Sequence, residues 1–485
     1  MDGRDNSSQS PYQIIEELRI VLPANVGLIE KLQAIFVRQD KLIKELSERT
    51  AELERRLGLN STNSSKPPSS DGFKKPPRVQ SLREKSGRKP GGQFGHKGAT
   101  LMQVEAPDLI EQHKITCCPE CKMDLKNVPV ASISKRQVFE VPEIKRVVTE
   151  HQFEVKFCPG CHKKVEFPKD DFAKAPAQYG NRAMSIMSYL NAHHLVPEER
   201  VTQVMQDVFQ LPISVATVES SMRTCSKNVE SVVEKIEEKL KKAPVKCTDE
   251  TSVRIDKKIN WVHTLSNENF THYRVSEKRG DIAKELTGVV THDHFAPYYA
   301  QLGEDVEHSL CNAHHLRELK AVSEIDKEPW ARRMIRLLLF GYSTTQQNPQ
   351  SITSEWLVRY KKLYFKIICE GLEYHDKLGP LKKPARGRIK RRTGHNLLLR
   401  LKDCSDDTLR FLFDPNVPFT NNNAEQALRM VKVKQKTSGC FRTRDGAESF
   451  LNVRSYTSTA QKQGVNVFDA INSAFKKSPI DFAPT

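Results

Sequence analysis

The feature that most constrains the fold is a change of periodicity at residue 245. Three runs, VKCTDETSVRI, KINWVHTLS and THYRVS, alternate apolar and polar residues and are separated by short turns at 256–258 and 267–269. A helix is predicted after them, and then another strand, GVVTHDHF. Helices are predicted before and after this region, so the chain is expected to be an α+β protein of several domains.

Acidic residues occupy two informative positions in this pattern. Three antiparallel strands, a helix and a further strand are the opening of an RNase H-like fold, in which the first and fourth strands are neighbours. Asp249 lies on the first strand, and Asp293 lies at the end of the fourth. A third acid is expected from a much later helix, and PFTNNNAEQALRMVKVKQK offers Glu425. The three carboxylates are the candidate catalytic residues.

The helix that carries Glu425 also carries a row of cations. Arg429, Lys432 and Lys436 follow Glu425 at i+4, i+7 and i+11, which places all four residues on one helix face. A carboxylate in line with cations suits a metal site whose substrate is a polyanion. Mg²⁺ and Mn²⁺ prefer oxygen ligands such as carboxylates, so we expect Glu425 to bind the metal together with Asp249 and Asp293. The cations of the helix are expected to contact DNA phosphates.

Two C-x-x-C pairs predict a second kind of metal site. Cys118 and Cys121 form one pair, Cys158 and Cys161 form the other, and together they could supply the four thiolates of a structural Zn²⁺ site. Strand-like composition at 137–141 and 147–155 favours a zinc ribbon, with a redox motif as the alternative. A further zinc site could be suggested by six residues: Cys311, His292, His294, His308, His314 and His315. However, His292 and His294 flank Asp293 on a strand, so both are expected to point to the opposite face from Asp293. Capping or packing is the preferred interpretation for His314 and His315.

The region before residue 60 predicts an oligomerisation helix. Leucines and one isoleucine recur at alternating steps of three and four residues from 28 to 53, with Gln39 and Arg49 interrupting the seam. This pattern favours a coiled coil that makes a homodimer or a higher oligomer. An amphipathic helix packed on its own chain is the alternative.

The positive charge is concentrated in two segments. The chain has 485 residues and a net charge of +17, of which 61–100 contributes +7 and 380–402 contributes +9. Such blocks favour DNA as a partner, with solvated loops as the alternative. Arg88 and Lys89 lie in an extended GRKPGG arm that suits a minor groove. The second block is expected to follow the DNA backbone through four residues: Arg388, Lys390, Arg391 and Arg392.

Residues 181–242 have a helical pattern. Two helices at 197–209 and 216–225 are separated by QLPIS, in which Ser214 can cap the second helix. This arrangement predicts a helix-turn-helix, with Thr217, Ser220, Ser221 and Arg223 as candidate DNA contacts. Two ordinary helices of a bundle are the alternative.

Several classes of protein are disfavoured by the same sequence. No run approaches the roughly 18 apolar residues that cross a bilayer, and the first residues lack a signal pattern. Eleven cysteines, of which only four are paired in motifs, indicate a reducing compartment. We therefore expect no membrane partner and a cytoplasmic location.

The chain resembles the transposases of bacterial insertion-sequence family sixty-six over nearly its whole length. The matching stretches occur in the order of the family and include the two C-x-x-C pairs, CTDETSVRIDKKINWVHT, HYRVSEKRG, VVTHDHFAPYY, SLCNAHHLRELK, GHNLLLRLKD, PFTNNNAEQALRMVKVKQKTSGCFRT and GAESFLNVRSYTSTAQKQG. One departure is Gln426, where family members usually have arginine.

The resemblance implies a DDE transposase with its acidic triad at Asp249, Asp293 and Glu425. It would bind the ends of its element and target DNA, and two Mg²⁺ ions, roughly 3.5 to 4 Å apart, would support strand cleavage and strand transfer. Accessory proteins of the same element and a bacterial cytoplasmic location, associated with the nucleoid, are also implied. The alternatives are a structure-specific RNase H-like nuclease and a DNA-binding regulator with an inert catalytic domain.

The predicted domain organisation follows from these features. The chain is expected to contain an N-terminal helix or coiled coil, a flexible basic linker, a zinc-ribbon DNA-binding domain, a helix-turn-helix-like region, a catalytic core in two parts, a helical insertion and a C-terminal element. Their respective ranges are 1–59, 60–105, 106–172, 173–242, 243–315 with 410–460, 316–409 and 461–485.

Overall fold

The computed structural model describes residues 13, 26–60, 63–64, 101–167, 175–381 and 389–482. These residues divide into two compact units. The described parts of 26–64, 175–202 and 214–482 form the first unit, and 101–167 with 203–213 form the second.

The elements are numbered here in chain order. The strands are β1 Val155–Phe157, β2 Lys164–Glu166, β3 Val245–Ile255, β4 Lys258–Ser266, β5 Thr271–Ser276, β6 Gly288–His292 and β7 Val306–Leu310. The helices are α1 Val26–Gly58, α2 Asn181–Ser188, α3 Glu198–Phe209, α4 Val215–Lys242, α5 Ala296–Gln301, α6 Asn312–Glu324, α7 Pro329–Gln347, α8 Ser354–Leu378, α9 Thr393–Asp403, α10 Ser405–Leu409, α11 Asn422–Ser438, α12 Arg444–Lys462 and α13 Val467–Phe475.

A mixed five-stranded sheet organises the first unit. The strand order is β5-β4-β3-β6-β7, in which β3, β4 and β5 are antiparallel neighbours and β6 and β7 run parallel to β3. All four strands predicted from the alternating pattern are present. The fourth strand pairs with the first, as the predicted topology requires.

Helices cover the sheet and bury its apolar side chains. Val229 and Ile236 of α4 and Tyr456 of α12 share a core cluster with Leu265 of β4 and Val290 of β6. The helices α6 to α9 form a separate core, whose largest buried residues include Trp330, Met334, Leu338 and Tyr364. The described part of 316–409 is therefore helical, as the sequence predicted.

The helix predicted between the third and fourth strands is absent. Residues 277–287 contain turns and bends but no helix. Arg274 of β5 donates a hydrogen bond to the Asp281 carboxylate at 2.9 Å, and the Asp281 amide donates to the Lys278 carbonyl at 3.2 Å. The segment is too short to offset the cost of helix nucleation while it is held by these contacts.

The helical region before the sheet agrees with the prediction in part. The Ser214 hydroxyl accepts a hydrogen bond from the Thr217 amide at 3.1 Å and so caps α4, as predicted. The second helix continues to Lys242, well beyond the expected residue 225. Ser221 is buried and donates a hydrogen bond to the Met184 carbonyl, so the DNA contact predicted for this serine is wrong.

The N-terminal helix has an exposed apolar seam. Leu28, Leu42 and Leu46 are each more than half exposed, so the described chain does not cover them. The end of the helix contacts the helical region, because Arg55 lies 3.4 Å from the Asp326 carboxylate. No helix in the described part of the chain is long and apolar enough to cross a membrane.

Two short strands belong to the second unit. β1 and β2 pair antiparallel on either side of Cys158 and Cys161. The strand predicted at 137–141 is absent, and of the strand predicted at 147–155 only Val155 lies in a strand, as the first residue of β1. Val138 and Val147 are almost fully exposed, and a strand that buries neither face gains little from sheet formation.

The stability of the protein is expected to be unusually sensitive to substitution of Gly288, the first residue of β6. This glycine has φ of +72°, and an added Cβ would lie 2.5 Å from the Pro244 carbonyl oxygen, which pairs with the Val289 amide. We expect Gly288→Ala to lower the free energy of unfolding by about 2 to 4 kcal/mol, since strain at φ and a backbone clash add.

Gly464→Ala is the matched control, because Gly464 has φ of +69° but no atom near its added Cβ. It is expected to lose only about 1 to 2 kcal/mol in the same chemical denaturation measurement. Equal losses in the two variants would contradict the proposed clash.

Candidate active site on β3 and at the carboxyl end of β6

Asp249, in the middle of β3, lies level with Asp293, which follows the carboxyl end of β6. β3 and β6 are parallel, with Val245 opposite Val289 and Cys247 opposite Thr291. If this register is extended by two residues, Asp249 lies opposite Asp293, which directly follows β6. The predicted proximity of these two acids therefore agrees with the strand register.

Asn421 fixes the helix that carries Glu425 close to these two aspartates. The Asn421 side-chain amide donates to the Thr248 carbonyl at 2.7 Å, and its backbone amide donates to the Cys311 sulfur at 3.2 Å. The Glu425 amide donates to the Asn421 carbonyl at 3.1 Å. Because Thr248 directly precedes Asp249, these bonds bring the first turn of α11 to the two aspartates.

The acids raise one another's pKa values. Burial raises the pKa of Asp249 well above its ordinary range, and the charges of Glu250, Asp293 and Glu425 raise it further. Burial and then the charge of Glu250 raise the pKa of Asp293 to about 6, although Arg279 and Arg400 oppose this shift. Buried carboxylates in this arrangement are stabilised by a cation, and hard oxygen donors suit Mg²⁺ or Mn²⁺.

An open cleft of about 240 Å³ gives access to Asp293. Its walls carry both signs of charge, with Glu318 and Arg400 forming an ion pair beside the histidines. The lining residues are Asp293, His294, Phe295, Leu310, Cys311, His314, His315, Glu318 and Arg400. The cleft therefore places one cation, Arg400, on the same wall surface as the acidic Asp293 and Glu318.

In a different group of side chains, the potential metal-ligand atoms lie close together. The ligand atoms of Cys311, His314 and Glu425 all lie within 4.8 Å of one another, and Asp249 and Asp293 are outside this group. Glu425 also contacts two arginines, since Arg317 lies 3.5 Å and Arg429 3.8 Å from its carboxylate. The sequence analysis did not group Glu425 with Cys311 and His314.

Glu250 is a further acid of the site that the sequence analysis missed. Its side chain is 2% exposed and accepts hydrogen bonds from Arg279 at 2.8 Å and from the Tyr298 hydroxyl at 2.6 Å. Its charge raises the pKa values of both Asp249 and Asp293. The only signal in the sequence is its position directly after Asp249.

The histidines on either side of Asp293 do not behave alike. Both were expected to point away from Asp293 by strand alternation. His292 is buried and hydrogen-bonds to His308 at 2.8 Å, but His294 lines the cleft with Asp293. The expectation is wrong for His294 because β6 ends at His292, so alternation no longer applies.

The cations predicted on α11 differ in their surroundings. Arg429 and Lys436 are exposed and available to a polyanion. Lys432 instead donates hydrogen bonds to the Ser252 carbonyl and to the Gln435 side chain, and burial lowers its pKa. Its ammonium group therefore joins α11 to β3, so the DNA contact predicted for Lys432 would require it to leave Ser252.

The other predicted DNA contacts are described in part. Lys390 and Arg391 are exposed, whereas Arg392 donates a hydrogen bond to the Gly379 carbonyl at 2.6 Å. Arg88, Lys89 and Arg388 lie outside the described residues.

The two C-x-x-C pairs of the second unit have the same local geometry. The Cys118 amide donates to the carbonyl of residue 123, and the Cys158 amide donates to the carbonyl of residue 163, each at 2.9 Å. The Cys121 backbone amide lowers the pKa of the Cys118 thiol, and the Cys161 backbone amide lowers the pKa of the Cys158 thiol. Turns that favour thiolates suit zinc, but the four sulfur atoms do not form one group within ligand distance in the described chain.

A comparison with known families agrees with this site and with the sequence motifs. The model described as Transposase IS66 family matches residues 176–449, which are more than half of the chain. The chain therefore belongs to the IS66 family of transposases, and the resemblance stated from its motifs is confirmed. A second model, a family of unknown function (DUF6444), matches residues 15–102. No curated protein matches the chain.

Family membership implies a protein that processes DNA and suggests that it uses a divalent metal. The matched range contains all three candidate acids and the Cys311, His314 and Glu425 group. It does not contain the two C-x-x-C pairs, which lie before residue 176.

The raised pKa of Asp293 predicts that this residue destabilises the metal-free protein. Its ordinary pKa is 3.8 and its folded value is about 6, so the ionised form is disfavoured in the folded state. Asp293→Asn should therefore raise the free energy of unfolding at pH 8 by up to about 3 kcal/mol, and the gain should vanish as the pH falls below about 4.

Denaturant unfolding across this pH range, in the presence of a chelator, measures the effect. Asp305→Asn is the control, because Asp305 is an exposed acid that precedes β7 at the other end of the sheet, and it should change stability little. A loss of stability in Asp293→Asn at pH 8 would contradict the account.

Proposed function

We propose that the chain is a DDE transposase with an RNase H-like catalytic core. It would bind the ends of its element, cut the DNA strand there and join the freed 3′-hydroxyl to target DNA. The observation that carries this proposal is the convergence of three acids: Asp249 and Asp293 on adjacent parallel strands, and Glu425 on a helix fixed to the first strand by Asn421. The strand order, with β4 antiparallel to its neighbours, supports the RNase H-like assignment.

Asp249, Asp293 and Glu425 would hold two Mg²⁺ or Mn²⁺ ions. When bound, these ions lower the pKa of a water molecule and stabilise charge on the phosphate oxygens. The protein contributes the positions of the ligands. Glu250 is held by Arg279 and Tyr298, and its charge acts on both aspartates, while Asn421 sets the position of Glu425.

Cations near the site would hold the DNA. Arg400 in the cleft and Arg429 on α11 lie next to the acids, where they can neutralise phosphates beside the scissile bond. Lys390 and Arg391 of the second basic segment are exposed and would contact the backbone at a greater distance from the chemistry. Backbone contacts of this kind predict binding that weakens steeply with salt.

The second unit would bind a structural Zn²⁺ ion through Cys118, Cys121, Cys158 and Cys161. The matching turns and thiol environments of the two pairs support this assignment. The exposed seam of α1 supports a partner of the same sequence, because a second copy would bury the leucines that the described chain leaves exposed.

The catalytic assignment predicts separate effects on cleavage and binding. Asp293→Asn should abolish Mg²⁺-dependent cleavage of DNA that carries the element's ends, since an amide is a poor ligand for Mg²⁺. Binding of the same DNA, measured by fluorescence anisotropy, should change little. Cleavage is followed on a denaturing gel.

Asp305→Asn again serves as the matched control and should cleave normally. Retained cleavage by Asp293→Asn would overturn the assignment. A structure-specific nuclease would be favoured instead if Asp293→Asn lost cleavage but the wild type cut branched DNA and joined no strands.

The oligomerisation proposal predicts a change in molar mass. Leu42→Glu combined with Leu46→Glu should weaken self-association by on the order of 100-fold or more, since burial of each leucine side chain contributes about 1.5 to 3 kcal/mol. Lys44→Glu is the control, because residue 44 lies outside the seam. Light scattering coupled to size-exclusion chromatography gives the mass, and an unchanged mass in the double variant would exclude this interface.

A further inference from the structure

Three ligand-type side chains meet beside the proposed magnesium centre. Cys311 directly follows β7, and its amide donates to the His292 carbonyl at 2.9 Å. His314 lies on the first turn of α6, and Glu425 lies on the first turn of α11. The hydrogen bond from the Asn421 amide to the Cys311 sulfur joins these elements, and the three ligand atoms lie within 4.8 Å of one another.

His314 has an unused ring nitrogen in this cluster. Its Nδ1 atom is buried without a hydrogen-bond partner and lies 3.9 Å from the Glu425 carboxylate. A buried polar atom without a partner is costly and requires an explanation. A cation between the imidazole and the carboxylate would supply the missing interaction.

The chemistry of the donors selects the cation. A thiol, an imidazole and a carboxylate are typical ligands of Zn²⁺ and related borderline metals, whereas Mg²⁺ does not take sulfur. Tetrahedral coordination with ordinary bond lengths requires ligand atoms about 3.3 to 3.8 Å apart, so small side-chain movements would close the group. Three protein ligands leave one position open to water or to a substrate oxygen.

We propose that Cys311, His314 and Glu425 form a binding site for a borderline divalent cation such as Zn²⁺, separate from the carboxylate site for Mg²⁺. Arg317 and Arg429 contact Glu425, and both are partly exposed. They can therefore turn outwards when a cation neutralises the carboxylate.

The site has a consequence for activity, and this part rests on the proposed function. Glu425 belongs both to the cluster and to the proposed catalytic triad. A cation held by Cys311 and His314 would draw Glu425 away from Asp249 and Asp293. Zn²⁺ would then compete with Mg²⁺ through a shared ligand.

Cobalt(II) is the direct probe, because thiolate coordination gives it a charge-transfer absorption band. The C-x-x-C pairs would also bind cobalt, so the titration uses the full chain with all four of their cysteines (Cys118, Cys121, Cys158 and Cys161) replaced by serine, as well as the wild type. In that background we expect one thiolate-bound cobalt per chain. Adding Cys311→Ser or His314→Ala should remove the band and weaken binding by about 100-fold or more, since loss of supporting hydrogen bonds alone costs about 10- to 100-fold.

Cys225→Ser is the matched control, because Cys225 is also a fully buried cysteine but has no metal ligands around it in the described chain. It should leave the band unchanged, and circular dichroism checks the fold of each variant. If a background variant is unfolded, the difference spectrum between wild type and Cys311→Ser in the otherwise intact chain gives the same answer. Absence of the band, or a band that survives Cys311→Ser, would overturn the proposal.

Competition between the metals tests the shared ligand. Zn²⁺ added to a Mg²⁺ cleavage reaction should inhibit the wild type, and Cys311→Ser, measured relative to its own rate in Mg²⁺ alone, should need more than 10-fold more Zn²⁺ for equal inhibition. Equal inhibition of the two proteins would exclude competition through Glu425. The cobalt spectrum does not depend on cleavage, so failure of the proposed function and failure of this site give different results.

Discussion

The arrangement of the site depends on the hydrogen bonds of Asn421. Its side-chain amide connects the start of α11 to Thr248 on β3, and its backbone amide connects it to Cys311 after β7. Asn421 is 1% exposed, so these bonds form away from water, where the loss of one partner is costly. They set the position of Glu425 although more than 100 residues separate it from the strands that carry the aspartates.

The electrostatics of the site oppose folding and favour metal binding. Asp249 and Asp293 are partly buried beside Glu250, and each carboxyl has a raised pKa. The fold holds this acidic cluster through specific contacts, such as those of Glu250 with Arg279 and Tyr298. Binding of cations at this site would restore the stability that the concentrated negative charge removes.

Much of the fold followed from local pattern, but the details of the site did not. The alternation of apolar and polar residues predicted the four strands, and the positions of the acids on these strands predicted that Asp249 and Asp293 are neighbours. The missing helix at 277–287 shows the limit of such reasoning, because tertiary contacts of Asp281 outweigh helical spacing there.

The other differences have the same origin. Glu250 follows Asp249 in a strand, and its contribution depends on Arg279 and Tyr298, which come from other elements. The cluster of Cys311, His314 and Glu425 exists only because Asn421 brings two distant helices together. Sequence spacing describes one element at a time and does not show such contacts.

The central claim is that Asp249, Asp293 and Glu425 act together in DNA strand transfer. A strand-transfer assay with DNA that carries the element's own ends, target DNA and Mg²⁺ tests it most directly when the wild type is compared with Asp249→Asn. The account predicts joined products with the wild type and none with Asp249→Asn, while both proteins bind the ends. Joined products of equal yield from Asp249→Asn would contradict it.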